Sequence, residues 1–285
     1  MKRILSLTIL VFAGMLLFNA CKKDENPRIP ALERVPLPYL TKDTSADVLI
    51  QDPATFKGKF NVDVFFKSDA KPKKMDVVVI LNGDVTNIKT LKADVTAFPT
   101  AIDVTANDLA GLFGKTAADI QTGDAFTVGA DVTTNDGFVV PAFRNDSAEA
   151  ESYGGDAQNY DGASLTIQYK KVCPLDVNGL VGSFTMDDPQ FWGGAYPVTT
   201  TLSGNELTLH NWIEVPTATL KMTIDEKTQT VTVAKQLTLA DGYGYHNWTT
   251  VGSGDIDACS NSITLKLTNT VDEGSFGTAT MTMHK

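Results

Sequence analysis

Residues 60–66 read Phe-Asn-Val-Asp-Val-Phe-Phe, and this stretch indicates the class of fold. Apolar Phe60, Val62 and Val64 alternate with polar residues, which is the period of a β-strand that buries one face. Similar alternation recurs further along the chain, for example in residues 126–132. The sequence therefore predicts an all-β protein.

The residues around this stretch, from 44 to 172, predict a first β domain. The run Val77–Leu81 ends at Asn82-Gly83-Asp84, so a strand is expected to enter a tight turn there. One short helix is predicted to begin at Thr105, because Thr105 and Asp108 form a capping box. About seven short strands with turn signals at this spacing favour an immunoglobulin-like β-sandwich over residues 44–172.

A second β domain is predicted over residues 173–285. Hairpins are expected at residues 202–207, at residues 224–228 and at residues 269–275, where polar turn residues separate apolar runs. The segment Gly252–Asp255 is interpreted as another turn. Sequential hairpins of this kind predict an antiparallel up-and-down β-barrel or a β-sandwich, and the period of the pattern does not choose between them.

The first twenty residues have the pattern of an export signal. Met-Lys-Arg precedes the apolar run Ile4–Phe18, and Ala20 precedes Cys21. Such a run is short for a bilayer span and is removed on export. The junction resembles the lipobox of bacterial lipoproteins, so we expect a signal peptide at residues 1–20 and a lipid on Cys21. The alternative is an ordinary secreted protein in which Cys21 is a free thiol.

Residues 21–43 are expected to form a tether. Four prolines lie there among charged residues, with neither a helical nor an alternating period, and prolines keep such a segment extended. No later apolar run approaches 18 residues. Attachment to a membrane is therefore expected through the lipid on Cys21 alone.

The chain is acidic, with 34 Asp and Glu residues against 24 Lys and Arg residues. This balance argues against nucleic acid as a partner and against a basic patch for anionic lipid. Cys173 and Cys259 would meet an oxidising compartment after export, which favours a disulfide between them. Two thiols without nearby histidines make a poor metal site, and no cofactor is predicted.

All three tryptophans, Trp192, Trp212 and Trp248, fall in the second domain. Tyr243 and Tyr245 lie close to Trp248 and alternate with glycines. Flat aromatic rings in glycine-bordered loops suit stacking on the apolar face of a sugar, so these five residues are the predicted ligand-binding set. The alternative for Trp212 and Trp248 is that their rings fill the end of a barrel.

The tripeptide His-Asn-Trp occurs twice, at residues 210–212 and 246–248. Two facing imidazoles would supply half of a metal site. No cysteine or carboxylate stands at ligand spacing from either histidine, so coincidence or paired strand ends is the favoured interpretation, and no metal is predicted.

Two carboxylate pairs lie near the aromatic residues, Asp187 with Asp188 and Asp255 with Asp257. A glycoside hydrolase needs two acids on opposite sides of the scissile bond, whereas adjacent aspartates more often begin turns. No catalytic residue is predicted. The acidic loop 145–161 lacks the regular spacing of a calcium loop. Its candidate oxygen ligands are Asp146, Asp156 and Asp161.

In its organisation the chain resembles the accessory lipoproteins of Bacteroidetes glycan-uptake loci. The likeness lies in the lipobox, the Lys23-Asp24-Glu25 string after the cysteine, the proline-rich spacer and the two β domains. It extends to the strings Asp108-Leu109, Gly123–Phe126 and Gly252–Cys259. The resemblance implies a lipid anchor in the outer membrane, facing the cell exterior. It also implies association with a glycan and with an outer-membrane transporter and its partner lipoprotein.

Three functions follow as hypotheses. The first is a non-catalytic surface lipoprotein that binds a polysaccharide or oligosaccharide through aromatic loops of the second domain. The second is a structural or interaction component of a surface complex, or an adhesin. The third is a glycoside hydrolase that uses Asp187 or Asp188.

Overall fold

Antiparallel β-strands make up most of the chain, as the alternating patterns predict. The computed structural model describes residues 35–68, 71–144, 153, 155–190 and 193–285. Cys21, Trp192 and the whole predicted signal peptide lie outside the described residues. The first eight strands are β1 (Pro38–Lys42), β2 (Lys57–Val64), β3 (Lys74–Leu81), β4 (Lys89–Val95), β5 (Thr100–Thr105), β6 (Ala125–Thr133), β7 (Val139–Val140) and β8 (Ile167–Lys170). The next eight are β9 (Gly182–Asp188), β10 (Gly194–Ser203), β11 (Glu206–His210), β12 (Thr219–Asp225), β13 (Thr230–Gly242), β14 (Tyr245–Asp257), β15 (Ser262–Val271) and β16 (Gly274–His284).

The first eight strands form two antiparallel sheets. One sheet has the order β1-β2-β5 and the other β4-β3-β6-β7, with β8 also paired to β6. The sheets pack through Phe60 of β2 and Tyr169 of β8, whose ring centroids lie 6.5 Å apart and whose side chains are buried. The Tyr169 hydroxyl donates a hydrogen bond to the Lys59 carbonyl at 3.1 Å, which satisfies its polar atom inside the core.

Short helices connect the strands. The α-helix α1 (Ala106–Gly111) follows β5, and Thr105 and Asp108 form the predicted capping box at its N-terminus. This prediction is confirmed. In the part of the chain that the structure describes, the other short helical segments are α2 (Gly155–Gln158) and the 3-10 turns Ala117–Asp119, Val177–Leu180 and Trp212–Glu214.

The predicted tether is too long at its C-terminal end, because Pro38–Lys42 is strand β1. These residues pair with Lys42 opposite Phe60 and Pro38 opposite Val64. Leu40 is fully buried between the sheets, and this burial outweighs the local preference of a proline-rich segment for extended coil. Pro38 is tolerated because β1 is an edge strand that pairs on one side only.

Strands β9 to β16 close into an antiparallel barrel in which β9 pairs with both β10 and β16. Of the two predicted alternatives for this half, the barrel is therefore correct. Its interior is filled by apolar side chains such as Met186, Leu207, Leu220 and Leu265, each at most 1 % exposed. Filling by side chains is the expected state of an eight-stranded barrel.

The predicted turn at Gly252–Asp255 is wrong, because these residues lie within strand β14. Gly252 and Gly254 sit opposite Leu267 and Leu265 of β15. A Cβ atom at Gly254 would lie 2.5 Å from the Thr264 carbonyl oxygen and 2.8 Å from Leu265 Cδ2. The glycines are therefore present for close packing of the barrel wall and not for chain reversal.

The two ends of the barrel differ. The proximal end carries the connections 204–205, 226–229 and 258–261, and the distal end carries the connections 211–218, 243–244 and 272–273. At the proximal end Gln51 Nε2 of the sandwich donates to the Glu226 carbonyl at 3.0 Å, and Lys227 Nζ donates to the Ser45 carbonyl at 3.3 Å. Sandwich and barrel belong to one compact unit, Pro36–Lys285.

The predicted disulfide is confirmed. Cys173 and Cys259 are bonded, with their Cα atoms 5.2 Å apart. The bond fixes the chain that leaves the sandwich to the β14–β15 turn at the proximal end. In the part of the chain that the structure describes, no helix is both long and apolar enough to cross a bilayer.

Candidate functional site

Two of the predicted ligand-binding tryptophans are buried. Trp212 is 0 % exposed and Trp248 is 3 % exposed, and both belong to the barrel core. The prediction that these indoles contact a ligand directly is therefore wrong, and the alternative that they fill the barrel end is correct. Trp192, which falls between β9 and β10 in the sequence, lies outside the described residues.

Both copies of the His-Asn-Trp tripeptide lie near the end of a strand. Asn211 and Asn247 both adopt left-handed backbone conformations, with φ of 62° and 53°. Asparagine tolerates this region better than most residues, and in both copies the residue after it is a tryptophan that enters the barrel. The repeat therefore marks two places at the distal end where a left-handed asparagine precedes a buried indole, one just after β11 and one near the start of β14.

The β13–β14 hairpin exposes two tyrosines at the distal end. Gly242 pairs with Tyr245, so Tyr243 and Gly244 form a two-residue loop, and both have positive φ, as a type I′ turn requires. Tyr243 is 52 % exposed and Tyr245 is 37 % exposed. The exposure predicted for these two tyrosines is confirmed.

A further exposed ring, Phe276 of β16, was missed by the sequence analysis. Its side chain is 39 % exposed and stacks on the buried Trp248 ring at 5.0 Å between centroids and 13° between planes. Tyr245 contacts Phe276 edge-on at 5.1 Å. Phe276 lies between Gly274 and Gly277, so the glycine-bordered pattern that singled out the tyrosines was present here too.

We call Tyr243, Tyr245 and Phe276, together with the Trp248 ring beneath them, the aromatic platform. Hydrogen bonds hold the platform in place at two points. The Tyr243 hydroxyl donates to the Ile213 carbonyl at 3.0 Å, and Trp248 Nε1 donates to the Gly242 carbonyl at 3.1 Å. Because the rings pack on one another and on the barrel end, the exposed faces are fixed before any ligand arrives.

A polar rim borders the platform and joins its two hairpins. His246 Nδ1 lies 2.5 Å from Glu273 Oε1, and the His246 backbone N–H donates to Glu273 Oε2 at 3.1 Å. Asn247 Nδ2 donates to Asp272 Oδ2 at 2.7 Å, and Asp241 Oδ1 lies 3.7 Å from His246 Nε2. We call the contacts of Glu273 with His246 and of Asp272 with Asn247 the hairpin latch, because they connect the β13–β14 hairpin to the β15–β16 hairpin.

The latch shifts the titration of its members. The hydrogen bond with Glu273, aided by the negative charges of Asp241 and Asp272, raises the pKa of His246 above its usual value. The same hydrogen bond holds the pKa of Glu273 below its usual value. The rim therefore keeps the Glu273 carboxylate charged beside the exposed rings at neutral pH.

This arrangement suits a ligand with one apolar face and several hydroxyl groups. The exposed rings offer flat surfaces for C–H groups, and the carboxylates and the Asn247 amide accept or donate hydrogen bonds at the edge. Negative charge on the rim disfavours anionic ligands by like-charge repulsion.

The side chains of the two aspartate pairs noted in the sequence lie apart from the aromatic platform or on opposite faces of a strand. Asp188 is fully buried and Asp187 is exposed, because they occupy successive positions on β9 and point to opposite faces. Asp255 and Asp257 end β14 toward the proximal end, away from the platform, and Asp257 accepts the Cys259 backbone N–H. Neither pair can flank a bond of a ligand bound at the platform.

Among residues 35–68, 71–144, 153, 155–190 and 193–285, no three His, Cys, Asp or Glu side chains converge to hold a metal ion. His210 contacts Thr201 at 2.9 Å, whereas His246 contacts Glu273, so the two histidines do not face each other. Asp156 and Asp161 of the acidic loop are exposed, and Asp146 lies outside the described residues.

The distal end therefore exposes two of the five predicted ligand-binding residues, Tyr243 and Tyr245. Trp248 supports them from below, and Phe276 joins them. The sequence itself has no match among protein-family models, and comparison with curated proteins gives no match either.

Proposed function

We propose that the protein is a non-catalytic glycan-binding protein whose site is the aromatic platform. The observation that carries the proposal is the group of three exposed rings at the distal end, fixed by the latch and by the Trp248 ring. A sugar ring stacked there would bury its C–H face on the rings and direct its hydroxyls to the polar rim. Stacking and hydrogen bonds without covalent chemistry give modest affinity, which improves when many copies share one surface.

The charge of the rim narrows the class of glycan. Asp241, Asp272 and Glu273 lie beside the platform, and the whole chain has a net charge of −10. We propose neutral polysaccharides or oligosaccharides as ligands, because uronate or sulfate groups would meet carboxylates at close range.

In this proposal Cys21 carries the lipid, and the protein is held in the outer membrane with its barrel toward the cell exterior. An outer-membrane transporter and its partner lipoprotein would receive the bound glycan. These parts of the proposal rest on the sequence of residues 1–25. Labelling of the wild-type chain with radioactive palmitate, lost in Cys21→Ser, tests the lipid anchor.

Affinity electrophoresis of the chain from Lys22 against neutral and acidic polysaccharides tests the site. We expect retardation by at least one neutral polysaccharide and none by the acidic ones. Tyr243→Ala combined with Tyr245→Ala should weaken binding about tenfold or more, since about 1.4 kcal/mol of stacking corresponds to a factor of ten.

The matched control is Leu237→Ala combined with Val251→Ala. These two exposed apolar side chains lie on the same strands, β13 and β14, but outside the platform. The control should bind as the parent does. Full binding by a folded Tyr243→Ala, Tyr245→Ala variant would overturn the platform as the site, and retention of a complex with membrane proteins without any sugar affinity would favour the interaction-component hypothesis.

A further inference from the structure

A second group of exposed apolar side chains lies at the N-terminal end of the sandwich. We define this end by the start of β1, the end of β2, the start of β3 and the turn after β6. Its exposed side chains are Phe66, Phe138, Val139 and Tyr160, which we call the N-terminal aromatic patch. Their exposed fractions are 38 %, 48 %, 51 % and 52 %.

Ring contacts hold one half of this patch together. Phe65 contacts Phe66 edge-on at 4.9 Å and Tyr160 at 5.6 Å, and Phe66 contacts Tyr160 at 5.4 Å. Tyr39 of β1 packs against Phe65 at 5.4 Å from the inner side. Phe66 and Tyr160 are therefore presented on a rigid base and keep their exposed faces toward solvent.

The register of the sheets brings the other half to the same end. The Lys73 backbone N–H donates to the Thr133 carbonyl at 2.9 Å, and Asn135 Nδ2 donates to the Lys71 carbonyl at 3.1 Å. The turn that carries Phe138 and Val139 thus lies directly beside the segment that follows Phe66. Exposed apolar rings are therefore presented on neighbouring connections at the same end of the sandwich, and exposed apolar surface of this kind marks an interaction site.

Lysines accompany the patch. Lys67, Lys71 and Lys73 are exposed on the β2–β3 connection, and Lys67 pairs with Asp63. Asp136 and Asp161 are also exposed there, so the patch is not strongly basic. Aromatic rings mixed with lysines of long apolar stem are typical of surfaces that lie at the interface of a bilayer.

The chain reaches this end of the sandwich directly from its N-terminal segment. The Phe65 backbone N–H donates to the Leu37 carbonyl at 2.9 Å, so the first residues of the Pro36–Lys285 unit lie beside the patch. Residues 22–35, which separate Cys21 from Pro36, span at most roughly 45 to 50 Å when fully extended. A lipid on Cys21 would keep a bilayer within that distance of the patch. It would thereby raise the effective concentration of lipid at the patch.

We propose that the N-terminal aromatic patch seats the sandwich on the lipid surface that holds Cys21, with Phe66, Phe138 and Tyr160 in the headgroup region. This inference rests on the lipid anchor of the proposed function. Because the barrel joins the sandwich at the end where β8 finishes, such seating would direct the aromatic platform away from the bilayer. Contact with lipid through rings alone is weak, so it depends on the anchor for its strength.

The experiment replaces the natural anchor, so that it does not depend on acylation in a cell. The chain from Lys22 receives an N-terminal histidine tag and is captured on vesicles of phosphatidylethanolamine and phosphatidylglycerol that contain a nickel-chelating lipid. An environment-sensitive dye is placed on Asp136→Cys beside the patch or on Ala240→Cys of β13 in the barrel. Lipids with a doxyl quencher near the headgroup report contact with the bilayer.

We expect strong quenching of the dye at position 136 and none at position 240. Phe66→Ser, Phe138→Ser and Tyr160→Ser together should at least halve the quenching at 136 at equal capture, whereas Leu237→Ser with Val251→Ser should leave it unchanged. Near-ultraviolet circular dichroism checks that each variant is folded. If the triple variant does not fold, the comparison of quenching at positions 136 and 240 in the parent still tests whether the N-terminal aromatic patch contacts the bilayer.

An unquenched dye at 136 in the parent, or equal quenching in a folded triple variant, would overturn the proposal. Its failure is distinguishable from failure of the proposed function. The triple variant should keep its retardation by neutral polysaccharide, and absence of palmitate on Cys21 would remove the natural anchor without altering the vesicle result.

Discussion

Gly254 determines how closely two strands of the barrel wall approach. A Cβ at this position would meet the Thr264 carbonyl oxygen, Leu265 Cδ2 and Val231 Cγ2 at 2.5, 2.8 and 3.1 Å. Two of these neighbours are core side chains and the third is backbone, so none can move aside cheaply. We expect Gly254→Ala to lower the free energy of unfolding by about 1 to 3 kcal/mol, the usual cost of overpacking.

Urea denaturation monitored by tryptophan fluorescence measures this change. The matched control is Ser253→Ala, one residue earlier on β14 and facing solvent, which should stay within about 0.5 kcal/mol of the parent. Equal stability of the two variants would contradict the packing role given to Gly254.

Single residues also show why the site was only partly predictable. Glycine-bordered aromatics correctly indicated Tyr243 and Tyr245, and the same pattern was available for Phe276. The side to which Trp248 points was missed because residues 252–255 were interpreted as a turn. In the structure Trp248, Thr250, Gly254 and Ile256 alternate inward along β14, and the small glycine at position 254 hides the period from a pattern of apolar residues.

At the scale of elements, the platform depends on two hairpins that the His246–Glu273 contact joins. The folded-state pKa of His246 is raised above 6.5, so the stability contributed by its protonated form is fully present below about pH 6.5 and is lost as pH rises through the raised value. The folded-state pKa of Glu273 is lowered, so its contribution is present above about pH 4.5 and is lost as pH falls through the lowered value.

The latch should therefore be strongest in mildly acidic solution, and both thermal stability and glycan affinity should decline as the pH rises from about 6.5 through the raised pKa of His246. In Glu273→Gln this decline should be smaller, because the neutral amide no longer favours the charged imidazole. Thermal melting at a series of pH values checks the expectation. Glu206→Gln, which removes a carboxylate that pairs with Lys221 elsewhere on the barrel, should keep the parental pH dependence. A parental slope in Glu273→Gln would mean that other groups cause it.

Elements with local signals were predictable, whereas those that depend on distant pairing were not. The cap at Thr105 and the hairpins around Gly204 and Asp225 are each specified by a few neighbouring residues in the sequence. The sequence of strand β1 resembles the tether, because it has no clear alternation of apolar and polar residues. The strand forms because it pairs with β2. Closure of the barrel depends on pairing of β9 with β16, nearly a hundred residues away in the chain, which no local period encodes.

At the scale of the molecule, the Cys173–Cys259 disulfide stabilises the proximal end without touching the platform. It closes a loop with a sequence separation of 86 residues, and the chain-entropy model gives roughly 4 to 5 kcal/mol for a loop of that length. Cys173→Ser with Cys259→Ser should therefore lower the free energy of unfolding by about that amount in urea. Its affinity for a neutral polysaccharide below the unfolding transition should be unchanged, because the bond lies at the opposite end of the barrel from Tyr243. Reduction of the parent with dithiothreitol should reproduce both results, and loss of affinity in a variant that is still folded would show that the two ends are coupled.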